Sequence, residues 1–228
     1  ILNMFQLLLD TADVKKIAEI NEYLPVYGVT TNPSIMSGSG KGVNYVLPAI
    51  VEVLGEDTQL FVQALSTTVD GIVAEAHKLT ELPYKNITVK IPTTPIGLAA
   101  MKKLRSTNIR TLATAIYTVQ QGFLAALNGA DYMSPYVNRI DTLNNDGVGV
   151  CAEIQHLLNA HDLPTILTPA SFKSTQQVLD CLATGCGAIT LPVDVIEQMV
   201  NFPAVQPAVE QFNKDWSAAF GDKLSYNS

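Results

Sequence analysis

The fold prediction starts from Ile87-Thr88-Val89-Lys90-Ile91-Pro92, a short apolar run with one lysine inside it. A near-continuous apolar run of this length is typical of a parallel strand that is covered on both faces. A charged side chain is rarely buried without a partner, so the lysine is the unusual member of the run. The stretch predicts a buried parallel strand with an amine in its interior.

Seven more units of the same kind occur along the 228 residues. Each is a short apolar run, a polar or glycine-containing turn and a longer stretch with helical periodicity. Eight such units favour an α/β fold with a single closed (β/α)8 TIM barrel over an open, doubly wound sheet. The predicted strands are residues 6–10, 27–31, 60–65, 87–91, 110–115, 132–137, 165–170 and 188–192.

The barrel units end before a last amphipathic segment. We assign residues 1–203 to the barrel and residues 204–228 to an additional C-terminal helix and tail. Apolar side chains recur there at helical spacing, among them Val209, Phe212 and Trp216. This stripe packs either on its own barrel or on a neighbouring subunit, and periodicity alone favours neither.

Composition narrows the classes of function. Hydrophobic residues make up 47% of the chain and charged residues 15%, which indicates an ordered globular protein. A net charge of −7 without any Lys/Arg-rich run argues against nucleic-acid and membrane-surface binding. There is no visible signal peptide and no apolar run long enough to span a bilayer. Together with three cysteines that lack metal-site spacing, these features predict a cytoplasmic protein.

Polar residues inside or just after the apolar runs are the candidates for chemistry, because barrel enzymes work at the carboxyl ends of their strands. The candidates are Asp10, Thr30, Asn32, Gln63, Lys90, Thr114, Tyr136, Arg139 and Ser171.

Lys90 is the most informative of these residues. Burial disfavours the charged amine, lowers its pKa and leaves a neutral nucleophile that can form a Schiff base with a carbonyl compound. A structural ion pair with Asp10 is the alternative. Asp10 could instead cap the following helix, and its position in the sequence does not decide between these readings.

An anion site is predicted beside Ser171, which follows the seventh strand. A helix starting near Ser174 would direct backbone N–H groups towards an anion, and Lys173 adds positive charge. Arg139 could bind the same anion through two hydrogen bonds, although a surface ion pair is the alternative for this side chain.

Five motifs in order give the chain a family resemblance. It resembles the transaldolase superfamily, and in particular its short fructose-6-phosphate aldolase branch, from Leu8 to Trp216. The motifs are Leu9-Asp10-Thr11, Gly28-Val29-Thr30-Thr31-Asn32-Pro33-Ser34, Val89-Lys90-Ile91-Pro92, Ser134-Pro135-Tyr136-Val137-Asn138-Arg139 and Ala170-Ser171-Phe172-Lys173.

The resemblance implies catalytic roles for five residues. Lys90 matches the Schiff-base lysine, and Asp10 matches the acid that handles the donor hydroxyl protons. Gln63, Thr114 and Tyr136 match the trio that positions a catalytic water, with Tyr136 as the partner in proton transfer. No metal or organic cofactor is implied.

The resemblance also implies how the substrate is bound. Asn32 and Ser171 match residues that bind donor hydroxyls, and Thr30 belongs to the same motif as Asn32. The acceptor phosphate is expected at Arg139, Ser171 and Lys173. Related proteins form pentameric rings, often stacked as decamers, through the C-terminal helix. A homo-oligomer of this kind is therefore expected.

Three positions bear on the choice between aldolase and transaldolase. Gln63 and Tyr136 favour an aldolase, because transaldolases usually carry Glu and Phe there and a phenyl ring cannot donate a proton. Ser134 is more typical of transaldolases, and its hydroxyl favours dihydroxyacetone over hydroxyacetone as the donor. The expected reaction is reversible cleavage of fructose 6-phosphate. A transaldolase and a non-catalytic sugar-phosphate-binding barrel remain alternatives.

Overall fold

A computed structural model describes residues 4–228 of the chain. Within this range the strands are β1 (Gln6–Asp10), β2 (Gly28–Thr30), β3 (Gln59–Gln63), β4 (Ile87–Pro92), β5 (Arg110–Ile116), β6 (Tyr132–Pro135), β7 (Ile166–Leu167) and β8 (Ala188–Leu191). The helices are α1 (Val14–Asn21), α2 (Pro33–Ser39), α3 (Val43–Leu54), α4 (Val69–Thr80), α5 (Pro95–Leu104), α6 (Val119–Leu127), α7 (Val137–Thr142), α8 (Gly147–Ala160), α9 (Thr175–Ala183), α10 (Val193–Val200) and α11 (Val205–Phe220).

The eight strands are parallel and nearly close into a barrel. Their order is β7-β6-β5-β4-β3-β2-β1-β8, which places β7 and β8 at the two ends of the sheet. The backbone N–H of Thr190 donates to the carbonyl oxygen of Pro169 at 3.1 Å and joins these ends. The predicted (β/α)8 barrel is therefore confirmed, and the open sheet is excluded.

Five predicted strands extend past the observed ends by one or more residues: 27–31, 60–65, 132–137, 165–170 and 188–192. The strand predicted at 165–170 is reduced to β7, since Pro169 has no N–H to donate to a sheet. The strand predicted at 132–137 ends at Pro135, and Val137 is already the first residue of α7. Tyr136 keeps only an isolated bridge to Ala170.

The inside of the barrel is closed by one apolar layer. Leu8, Phe61, Leu112, Tyr132 and Ala188 form a buried cluster of their own, and the rings of Phe61 and Tyr132 meet edge to face at 5.1 Å. Strand side chains alternate between faces, so the residues two positions later also face the interior, nearer the carboxyl ends. All of these are polar: Asp10, Gln63, Thr114, Ser134 and Thr190.

The expected C-terminal helix is present as α11. No residue of α11 is buried within the single chain, and Phe212 is 68% exposed. Trp216 and Phe220 pack against each other, with ring centroids 4.6 Å apart. The chain's own barrel therefore leaves this apolar stripe uncovered. No helix within residues 4–228 combines the length and apolar character needed to cross a membrane.

Candidate active site

The Lys90 amine lies inside the carboxyl end of the barrel. The residue is 5% exposed, and its Nζ donates a 2.6 Å hydrogen bond to the carbonyl oxygen of Thr31. Burial lowers the pKa of Lys90 below its ordinary value, while the negative charge of Asp10 acts in the opposite direction. The lowered pKa favours the neutral amine, which is the nucleophilic form.

Asp10 is held by the neighbouring strands. Its Oδ1 accepts a 2.8 Å hydrogen bond from the Thr30 hydroxyl, which also lies 2.6 Å from the hydroxyl oxygen of Thr190. The side chain that caps α1 is Asp13, so the helix-cap interpretation of Asp10 is wrong. The five ion pairs among residues 4–228 do not include Lys90, so the structural ion-pair interpretation is not met either.

Tyr136 completes a second polar group across the barrel. Its phenolic oxygen lies 2.7 Å from the Thr114 hydroxyl oxygen. The Arg139 guanidinium stacks over the Tyr136 ring, 4.8 Å from its centroid. Gln63 is paired with Lys90 in the parallel register of β3 and β4. Hydroxyl, amide and amine groups are thereby collected at one end of the barrel.

These side chains surround a cavity of about 380 Å³. Of the eleven predicted site residues, eight line it: Asp10, Asn32, Lys90, Ser134, Tyr136, Arg139, Ser171 and Lys173. The other three do not line the cavity, and two of them support residues that do. Thr30 bonds to Asp10, and Thr114 to Tyr136.

The predicted anion site differs in one respect from the expectation. The backbone N–H groups of Lys173 and Ser174 donate to Oε1 of Gln177, at 2.9 and 3.3 Å. They are thus occupied by the helix's own capping box and do not point at a ligand. An anion here would be bound by the side chains of Arg139, Ser171 and Lys173, all of which line the cavity.

Ser171 has a left-handed backbone conformation, with φ of 64°. A residue other than glycine is uncommon in this region, and such residues concentrate at functional sites. Ala115, directly after Thr114, has φ of 57°. It lies where the register of β5 and β6 shifts. Local backbone strain therefore occurs at one predicted site residue, Ser171, and directly beside another, Thr114.

Sequence reasoning missed several residues of the cavity wall. Thr190 lines the cavity and bonds to Thr30, and the signal that could have identified it is a hydroxyl within the apolar run of β8. Asn138 and Ser34 also line it, and both belong to motifs in which only their neighbours were assigned roles. Among residues 4–228, no group of three or more His, Cys, Asp or Glu side chains could hold a metal ion.

Sequence comparison assigns the chain to a family. The profile of the transaldolase/fructose-6-phosphate aldolase family matches residues 7–227. The chain belongs to this family. Membership confirms the resemblance found in the motifs, and it supports an enzyme with aldolase- or transaldolase-type activity on sugar phosphates. It does not distinguish between the two activities.

Solved structures with low sequence identity share the fold. A monomeric dihydrodipicolinate synthase variant is 9% identical with a TM-score of 0.64, and the match covers 95% of this chain and 77% of that one. A mandelate oxidase mutant is 13% identical with a TM-score of 0.56, covering 96% and 75%. A flavocytochrome b2 mutant is 11% identical with a TM-score of 0.59, covering 84% and 57%. The chain thus spans about half to two thirds of the flavocytochrome b2 chains it matches. At these identities the likeness shows the barrel alone.

Proposed function

We propose that this protein is a class I, Schiff-base-forming aldolase that reversibly cleaves fructose 6-phosphate into dihydroxyacetone and glyceraldehyde 3-phosphate. The observation that carries the proposal is the Lys90 amine, buried at a cavity wall and with its pKa lowered by that burial. A neutral amine that a carbonyl compound can reach is the requirement of this chemistry.

In the cleavage direction, Lys90 attacks C2 of the sugar phosphate and water leaves, which forms an iminium ion. The C4 hydroxyl loses its proton to the Tyr136 or Asp10 network, and the C3–C4 bond breaks. The bonding electrons move into the iminium, so an enamine remains on Lys90 and glyceraldehyde 3-phosphate is released. The enamine is protonated at C3, and water hydrolyses the resulting iminium to dihydroxyacetone and free Lys90.

The phenol of Tyr136 supports an aldolase over a transaldolase. An aldolase must protonate and hydrolyse the enamine, whereas a transaldolase passes it to an acceptor sugar. Tyr136 lines the cavity, and its O–H lies within hydrogen-bond distance of Thr114, so a proton donor is available close to the reacting carbons. Gln63 is paired with Lys90 in the register of the two adjacent strands, and in this proposal its carboxamide helps to orient the hydrolytic water.

The proposal extends to the assembly of the protein. Exposed apolar side chains on α11, such as Phe212, have no cover within the single chain. Burying such a stripe against another copy is favourable, so we include a homo-oligomer, pentameric or decameric, in the proposal. A reducing, cytoplasmic location accords with the three cysteines, which are free and buried.

Borohydride trapping with dihydroxyacetone tests the chemistry. We expect intact and peptide mass spectrometry to find one reduced adduct, on the peptide that carries Lys90. Lys90→Met should abolish it. Lys85→Met is the matched control. Lys85 is exposed just before the amino end of β4, at the opposite end of the barrel from the cavity, and it pairs there with Glu56. An adduct on another lysine, or a folded protein without any adduct, would contradict the proposal and favour the non-catalytic binding barrel.

A second assay separates the two enzymatic activities. The purified protein is incubated with fructose 6-phosphate, with and without erythrose 4-phosphate, and both three-carbon products are measured. We expect free dihydroxyacetone in the absence of the acceptor. Release of glyceraldehyde 3-phosphate that depends on erythrose 4-phosphate, without free dihydroxyacetone, would instead assign a transaldolase.

A further inference from the structure

Gln177, on the first turn of α9, uses both ends of its carboxamide to join two segments of the cavity wall. Its Oε1 accepts the backbone N–H groups of Lys173 and Ser174, at 2.9 and 3.3 Å. The Ser174 hydroxyl accepts the N–H of Gln177 in return, at 3.2 Å. The oxygen end therefore holds the loop that follows β7, including Lys173.

The nitrogen end of the same side chain reaches a different element. Nε2 of Gln177 donates to Oδ2 of Asp141 at 2.8 Å and lies 3.2 Å from Oδ1 of Asn138. Both partners belong to α7, which also carries Arg139. Oδ1 of Asp141 accepts the N–H of Gly147 at 2.8 Å, so this carboxylate is itself fixed in place.

Backbone hydrogen bonds run alongside this bridge. The N–H of Asn138 donates to the carbonyl oxygen of Ser171 at 2.7 Å, and the N–H of Val137 donates to that of Ala170 at 2.9 Å. The two segments also carry the cations of the cavity wall, Arg139 on one and Lys173 on the other. Gln177 is not among the residues that line the cavity, so it acts on a ligand only through its neighbours.

We propose that Gln177 is a positioning residue that sets the spacing between Arg139 and Lys173 and thereby makes the enzyme selective for aldehydes that carry a phosphate group. This inference rests on the proposed aldolase function. Arg139 and Lys173 are both exposed, and they have long, flexible side chains, so their backbones must be held if the two charges are to meet one phosphate.

Gln177→Glu is the informative substitution, because it separates the two ends of the carboxamide. A glutamate retains an oxygen for the N–H groups of Lys173 and Ser174, so the capping box of α9 survives. It loses the N–H donors towards α7 and faces the Asp141 carboxylate with like charge. We expect the preference for glyceraldehyde 3-phosphate over glyceraldehyde, with dihydroxyacetone as donor, to fall about tenfold through a higher KM.

Two further variants make the test specific. Asp141→Asn in the Gln177→Glu background supplies an N–H donor to the new carboxylate and keeps Oδ1 for Gly147. We expect this pair to recover most of the lost preference. Gln176→Glu adds the same charge one residue earlier, on an exposed side chain that bonds only within its own helix, to Asp180. We expect it to leave the preference at the wild-type value.

The outcomes distinguish this inference from the proposed function. Absence of a trapped adduct on Lys90 contradicts the aldolase proposal. In that case, titration calorimetry with inorganic phosphate tests the positioning role without turnover. We expect phosphate affinity to be lowest in Gln177→Glu, largely recovered in the double variant and unchanged in Gln176→Glu. An unchanged preference in Gln177→Glu, an equal loss in Gln176→Glu, or no recovery in the double variant would overturn the role of Gln177.

Discussion

The Nζ of Lys90 lies 2.6 Å from the backbone carbonyl oxygen of Thr31 and donates a hydrogen bond to it. That carbonyl is held in place because the N–H and the hydroxyl of Thr31 both donate to the carbonyl oxygen of Phe61, at 3.1 and 2.8 Å. A neutral amine can make this bond with one N–H and keep its lone pair free. The amine is thus oriented by a neutral partner, which does not hold it in the charged form.

Lys90→Met is expected to fold and to be at least as stable as the wild type at neutral pH. The pKa of Lys90 is lowered in the folded chain, so the unfolded chain binds more protons at every pH between the lowered value and about 10.5. The folded wild type therefore loses stability as the pH falls below about 10.5, and methionine removes that loss. Urea unfolding of both proteins between pH 7 and pH 10.5 measures the difference, which should shrink as the pH rises. The stability advantage of Lys90→Met over the wild type should be larger at pH 7 than at pH 10.5. The opposite order would contradict the assignment of a desolvated amine.

Tyr136→Phe should slow turnover about a hundredfold or more while the adduct on Lys90 still forms. The substitution keeps the ring under Arg139 and removes only the O–H that bonds to Thr114. Measurement of kcat for fructose 6-phosphate cleavage, together with borohydride trapping, separates proton transfer from imine formation. Thr114→Val is the companion variant and should lose less, because the phenol is retained. Wild-type kcat in Tyr136→Phe would exclude this residue as the proton donor.

Ser134→Ala should shift donor preference from dihydroxyacetone towards hydroxyacetone. Ser134 is buried and lines the cavity, so its hydroxyl can bond to a terminal hydroxyl of the donor. Loss of one neutral hydrogen bond predicts a change of roughly fivefold in the ratio of kcat/KM values for the two donors. The ratio is obtained by competition of both donors for one aldehyde. A shift towards dihydroxyacetone would show that Ser134 disfavours the second hydroxyl.

Phe212→Glu should reduce the size of the assembly. Phe212 is exposed in the single chain and belongs to the apolar stripe of α11, so a charge there would be buried in the proposed interface. Light scattering after size-exclusion chromatography measures the mass. Gln211→Glu is the control, since Gln211 lies on the other side of α11 from the stripe and bonds only within its own helix, to Asp215, so the same charge there should leave the mass unchanged. A monomeric wild type, or equal masses for all three proteins, would remove α11 from the interface.

The barrel could be read from the sequence because its signal is local. Each strand is a short apolar run, and eight of them alternating with helical stretches admit few arrangements. The strand predicted at 165–170 is shortened before Pro169, which has no N–H to donate to the sheet. The strands predicted at 27–31 and 60–65 are also too long, because apolarity alone does not mark the residue at which a strand ends. Lys90 was also identifiable locally, since a lysine within such a run must be either paired or functional.

Residues brought together from distant parts of the chain required the tertiary structure. The sequence allowed Asp10 as the cap of α1, and only the structure shows that Asp13 caps this helix while Asp10 accepts a hydrogen bond from Thr30, 20 residues away. The hydrogen bond between Thr30 and Thr190 joins residues 160 positions apart in the sequence, and the bond from Gln177 to Asp141 joins residues 36 positions apart. The amino-acid sequence alone was enough to predict eight strands, their alternation with helices and a lysine buried in the fourth strand, because these features follow from neighbouring residues. Which polar groups meet depends on how the barrel closes, because closure brings side chains into contact whatever their separation along the chain.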